Sequence, residues 1–206
     1  MDTKQYNWSL IEKYPFLLPR NVWTDAVVDN FDYSFCLLKD EIPQGWWKCF
    51  GEILCEDLKE ILVKYDLLDT FRFSQCKEKF GQLRLYDNGH PAEWADHLWA
   101  WEYISEHTCI QCGEFPVPMR YDSWISPWCD ECFQKHLDKQ HSTRTIDSFV
   151  ESNRFGNRLQ EYLCIKTFSK DGYSITWIDL KPFYEKLGHK SENLITKEEL
   201  EKFLEE

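Results

Sequence analysis

The chain has 206 residues, 43% apolar and 17% aromatic, which is enough to close a core and excludes wholesale disorder. Its formal charge of −12 excludes the dense positive surface of a general polyanion binder and favours solubility, or docking onto a basic partner. Nowhere do about 18 apolar residues run together, so no membrane span is expected.

The start, MDTKQYNWSLIEKYPF, lacks the basic and apolar regions of a secretory signal. Nine cysteines without such a signal point to a reducing, cytoplasmic setting. Ten tryptophans are many for this length, so some of the rings should line an interface or groove.

In chain order, a helix is expected around Trp8–Tyr14, halted by Pro15, with YPFLLPR extended because Pro15 and Pro19 restrict the residues before them. PQGWWKCF should turn into a helix, GEILCEDLKEILVKYDLL, whose Ile53, Leu54, Leu58, Ile61, Leu62 and Tyr65 recur at helical spacing. FRFSQCKEKFGQLRLYDNG alternates at Phe71 and Phe73 and again at Leu83 and Leu85, with Gly81 between the runs. It reads as a β-hairpin. Arg72, Arg84 and Tyr86 fall on its polar face, with Lys77 and Lys79 nearby.

Pro91 suits the first position of a helix in which Trp94, Leu98 and Trp101 form a stripe to be covered by the hairpin. A short helix follows Cys132. After a polar stretch, EYLCIKTFSKDGYSITW reads as a second hairpin around Lys170-Asp171-Gly172. Helices are expected at Ile178–Leu187 and Lys197–Glu205, the last opened by a Thr196/Glu199 capping box. The expected fold class is α+β: a helix–β-hairpin–helix core with a four-cysteine zinc-ribbon-like knuckle in residues 1–140, and a small mixed α/β extension in 141–206.

Cys109, Cys112, Cys129 and Cys132 have the spacing C-x2-C-x16-C-x2-C, which reads as a metal site. Two C-x-x-C turns each present two sulfurs and together complete a tetrahedron. One structural zinc ion is the expected cofactor, although spacing alone is shared with iron sites. Four thiolates leave no open position for water, so catalysis at the metal is disfavoured. The other five cysteines, Cys36, Cys49, Cys55, Cys76 and Cys164, read as small core hydrophobes.

The pairing of KEKFGQLRLY with this knuckle resembles an uncharacterised family of tailed-phage and prophage proteins. The resemblance rests on Lys77, Glu78, Lys79, Phe80, Gly81, Leu83, Arg84 and Tyr86, then Cys109, Cys112 and Gly113, then Trp124-Ile125, Cys129 and Cys132. Gln44-Gly45-Trp46 also looks similar, and the whole covers roughly residues 14–135. Leu85 departs from the usual Phe, Ser123 from Gly and Ser126 from a basic residue. The resemblance implies a phage-type accessory protein made in a bacterial cell, which acts on host machinery or host defences by binding.

No enzyme signature is found: there is no G-x-S-x-G, P-loop or G-x-G-x-x-G. His90, Glu93, Asp96 and His97 lie close in sequence but read as a solvated helix face. His136 and His141 would overfill a complete shell. A non-enzymatic protein that binds and modulates a host protein, with inhibition of a defence factor as the implied role, is therefore expected. Tyr121, Trp124 and Trp128 are its candidate interface. The alternative is a nucleic-acid- or nucleotide-binding module that uses the basic–aromatic cluster Lys77, Lys79, Arg84 and Tyr86.

Overall fold

The computed structural model describes residues 2–21, 23–122, 124–139, 158–169, 172–190 and 193–205. Helix α1 (Thr3–Lys13) buries Asn7, Leu10 and Ile11, which share one face at i, i+3 and i+4. Pro15 stops it, but Pro15–Leu17 form a 3-10 turn and not the expected extended run. The Leu17 N–H donates to the Tyr14 carbonyl at 3.0 Å and the Leu18 N–H to that of Pro15 at 3.2 Å. This turn puts Phe16 and Leu17 in the core.

α2 (Gln44–Trp46), a π-helical turn (Trp47–Gly51) and α3 (Glu52–Lys64) follow one another without a break. α3 turns Leu54, Leu58, Ile61 and Leu62 inward, together with Cys55 and Asp57. Strands β1 (Phe73–Lys79) and β2 (Gln82–Asp87) form the expected hairpin, with a bulge between Phe73 and Gln75. Its two-residue turn, Phe80-Gly81, has φ of +55° and +78°, the left-handed pair that a tight hairpin turn requires.

α4 (Ala92–Ser105) starts one residue later than expected, with Pro91 as its extended N-cap. Trp94 and Trp101 are fully buried and Leu98 packs partly against the core, so the stripe is covered. The Trp101 ring stacks on Phe50 at 5.7 Å, and the Ser105 hydroxyl accepts the Leu83 N–H at 2.8 Å, tying α4 to the hairpin.

β3 (Met119–Asp122) and β4 (Trp124–Pro127) make a second antiparallel hairpin, followed by α5 (Asp130–Lys139). β5 (Tyr162–Ser169) and β6 (Gly172–Asp179) make a third. α6 spans only Lys181–Lys186, because Ile178 and Asp179 pair with Leu163 and Tyr162 in the sheet and are not helical as expected. α7 (Lys197–Glu205) has its capping box: the Thr196 N–H donates to Glu199, and the Glu199 N–H to the Thr196 hydroxyl.

The fold is thus helices with small antiparallel sheets, an α+β arrangement. One hydrophobic cluster joins Trp46, Phe50, Leu58, Trp101 and Leu83 to Ile178, Leu180, Phe183 and Tyr184. The expected boundary between residues 140 and 141, the polar stretch that follows it, and Lys170-Asp171 lie outside the described residues. No described helix is long and apolar enough to cross a membrane.

Candidate metal centre and flanking surfaces

Cys109 and Cys112 lie in the turn after α4. Cys129 immediately precedes α5, and Cys132 falls in its first turn. The two C-x-x-C turns bring all four sulfurs within 4.8 Å of one another. The Cys112 and Cys129 sulfurs are 3.6 Å apart, close to the ~3.8 Å edge of a tetrahedron with metal–sulfur bonds of ~2.3 Å. The residues therefore fit a tetrahedral metal ion. The Glu114 N–H points to the Cys112 sulfur and the Cys132 N–H to that of Cys129, both at 3.5 Å, as thiolates require. The N-terminus of α5 adds its positive end to the site.

Burial raises the Cys132 thiol to about 11 and pushes Cys129 up as well. At Cys109 burial acts the same way but is outweighed by backbone N–H groups of Cys112, Cys129 and Gln111, so this thiol is lowered. Full ionisation of the set therefore calls for a cation, and a cation would bind by releasing protons.

The centre is clamped from outside. Gly45 donates its N–H to the Ile110 carbonyl at 2.9 Å. The Trp46 indole donates to the Thr108 carbonyl at 2.8 Å. Within the insert Arg120 is buried: its Nε donates to the Trp128 carbonyl at 2.9 Å, its guanidinium pairs with Asp130, and it lies 5.2 Å from the Phe133 ring. It braces the knuckle.

His136 bonds Asp122 at 3.1 Å and stacks on Trp128, so it is no ligand here. His90 bonds Asp87, and Glu93 pairs with Lys64. His97 corrects the expectation of a solvated face. Its Nδ1 lies 2.8 Å from buried Asp57, and its ring is edge-on to Phe183 at 5.3 Å. Asp57 also accepts from the Trp101 indole at 2.8 Å and pairs with Lys186 of α6. Burial opposes ionisation of Asp57, yet these three donors hold its carboxyl below the ordinary value. Among the described residues the four cysteines are the only group arranged for a metal.

The structure divides the other candidates. Tyr121 and Trp124 are half-exposed, whereas Trp128 is part-buried, packed on the Cys109–Val117–Cys129 cluster and stacked on His136, and does not join them. Lys77, Lys79, Arg84 and Tyr86 share one face of the first hairpin, with Lys77 directly opposite Arg84. Arg84 is committed to Glu102 of α4 at 2.9 Å.

Sequence reasoning missed a third surface. Trp23 is 93% exposed at the tip of a turn in which Asn21 Oδ1 accepts the N–H groups of Trp23 and Thr24. Arg20 donates to the Asp25 carbonyl at 2.7 Å and bridges to Val27. Val27 and Val28 are also exposed, as are Asp25, Asp29 and Asp32 near them in sequence; Asp25 pairs with Arg20 at 3.6 Å and Asp32 with Lys4 at 2.5 Å.

No family model, characterised protein or solved structure matches this chain.

Proposed function

We propose that this chain is a non-enzymatic binding protein of phage type, stapled by one zinc ion, that docks on a host protein and modulates it. A defence factor is the partner class that the sequence resemblance points to. Zinc is the ion that four thiolates in a closed tetrahedron suit best, and with no open position its role is to hold the fold. The observation that carries the docking reading is Trp23. Trp23 is presented on a braced turn with Val27 and Val28 exposed close by, and Trp is among the residue types enriched as interface anchors. The chain's charge of −12, with Asp29 exposed close to the turn, fits a partner with a basic rim around an apolar pocket.

The test is capture from nuclease-treated bacterial lysate, followed by reconstitution with the purified partner. Trp23→Ala should weaken binding roughly thirtyfold or more, the scale of an anchor residue, with thermal stability unchanged. Asp29→Lys should slow association. A purified partner held equally well by Trp23→Ala would refute docking through this loop.

A further inference from the structure

The solvent face of the first hairpin carries six side chains in three cross-strand rungs: Gln75 with Tyr86, Lys77 with Arg84, and Lys79 with Gln82. Three are cations and none is a carboxylate, in a chain with 36 acidic residues. Two cations directly opposite each other on antiparallel strands repel. Glu102 of α4 offsets Arg84, and the part-buried Glu106 lies near it too. Lys77 and Lys79 have no carboxylate within 4.0 Å among the described residues. Instead, the Lys77 ammonium lies 5.1 Å from the Tyr86 ring and that of Lys79 lies 5.6 Å from the Phe80 ring.

The tip of the hairpin breaks a local rule. Phe80 takes φ +55°, a region where a bulky side chain is strained and Asn or Gly would be at ease. In that position its ring stacks on Trp124 at 4.7 Å and 19°, and both rings stay about half exposed, at 55% and 49%. The Trp124 indole is steadied by Glu78 at 3.2 Å. Strain of this kind persists where the surrounding contacts hold the side chain, and here they hold it in an exposed aromatic stack.

We propose that this face binds single-stranded nucleic acid. Lys77 and Lys79 meet backbone phosphates, while Tyr86 and the Phe80–Trp124 stack offer flat surfaces for bases. Arg84 is held by Glu102 and serves the fold. Glu78 at the Trp124 indole and Glu102 at Arg84 are tied up in these contacts. The acidic surface farther away is screened beyond ~8 Å at physiological salt, which leaves Lys77 and Lys79 as the local charge a phosphate would meet. The site is separate from the Trp23 turn, and either proposal can fail without the other.

The test uses the full metal-loaded chain and a fluorescent oligothymidylate of roughly 15 nucleotides, within the footprint of known stacking platforms. Lys77→Gln with Lys79→Gln should weaken binding and flatten its dependence on log salt by about 1.4, two phosphate contacts at ~0.7 each. Phe80→Asn should weaken binding roughly tenfold, as loss of a stacking ring does, without lowering the melting temperature, because it relieves the turn.

Absence of binding at about 0.1 mM, the weak end of non-specific nucleic-acid affinity, would overturn the proposal. So would binding that these variants leave unchanged, or equal affinity for a duplex. Equal competition by ATP would mark a nucleotide site, and equal competition by polyglutamate would mark an acidic-protein site. Either result also overturns it.

Discussion

Gly45 and Gly113 meet backbone against backbone. A side chain on Gly45 would lie 2.1 Å from the Cys109 carbonyl oxygen and 2.8 Å from the Gly113 nitrogen. One on Gly113 would lie 2.6 Å from the Gly45 oxygen. The start of α2 is therefore pressed against the first C-x-x-C turn, and the metal loop and the core share a contact with no room for a methyl group.

Gly45→Ala should destabilise the chain by at least the ~1–3 kcal/mol of an overpacked site, because the obstructing atoms are backbone. Thermal unfolding would show this, and release of the metal to a competing chelator should be faster. An unchanged melting temperature would mean that the loop can retreat at no cost.

Metal removal should unfold the knuckle, since closed four-thiolate sites in small modules contribute roughly 10–16 kcal/mol of apparent folding energy. Elemental analysis should find one zinc per chain, and none in Cys112→Ser with Cys129→Ser. Protons compete for the sulfurs, so affinity should fall as pH falls. Zinc release followed from pH 8 to pH 5 would check this, and a flat profile would speak against thiolate ligation.

Asp57→Ala should cost on the order of 3–5 kcal/mol, because His97, Trp101 and Lys186 lose a common buried partner. The folded carboxyl lies below its ordinary 3.8, so its contribution is present above that value and lost as pH falls through the folded one. The wild type should thus lose stability in acid, and the gap to the variant should close there. Denaturant unfolding at pH 7 and at pH 3 measures both.

Glu106 has the opposite sign. Burial raises it from 4.5 to about 7, with Arg84 opposing the shift and Glu102 adding to it. Its ionised form is the costly one. Stability linked to this group is therefore full below 4.5 and lost as pH rises through about 7. Glu106→Gln should be more stable than the wild type at pH 8 and equal to it near pH 4.5. Equal melting temperatures at pH 8 would show that water reaches the carboxylate.

Where the local pattern decides structure, the sequence was readable: α3, α4, the Gly81 hairpin and the Thr196/Glu199 cap all follow from spacing and turn chemistry. The four cysteines were legible because ligand spacing is itself local. Asp57 and His97 were legible in principle. Asp57 lies three residues after Leu54 and four before Ile61, and His97 lies three after Trp94 and four before Trp101, so both sit on buried stripes. Their charge disguised them as surface residues. Trp23 could not be found this way, since its exposure depends on how the whole turn is held. The short α6 was misjudged because pairing across β5 and β6 overrode local helix preference.

Phe183 stands edge-on to both Trp101 and His97, while Lys186 neutralises Asp57 and Phe115 of the metal loop leans on Tyr184 and His189. Phe183, Tyr184, Lys186 and His189, in and just after α6, thus roof the helices and the knuckle alike. A protein cut short after residue 140 would bare the Trp101 indole and leave Asp57 without its lysine partner in the same wall, a surface primed for self-association.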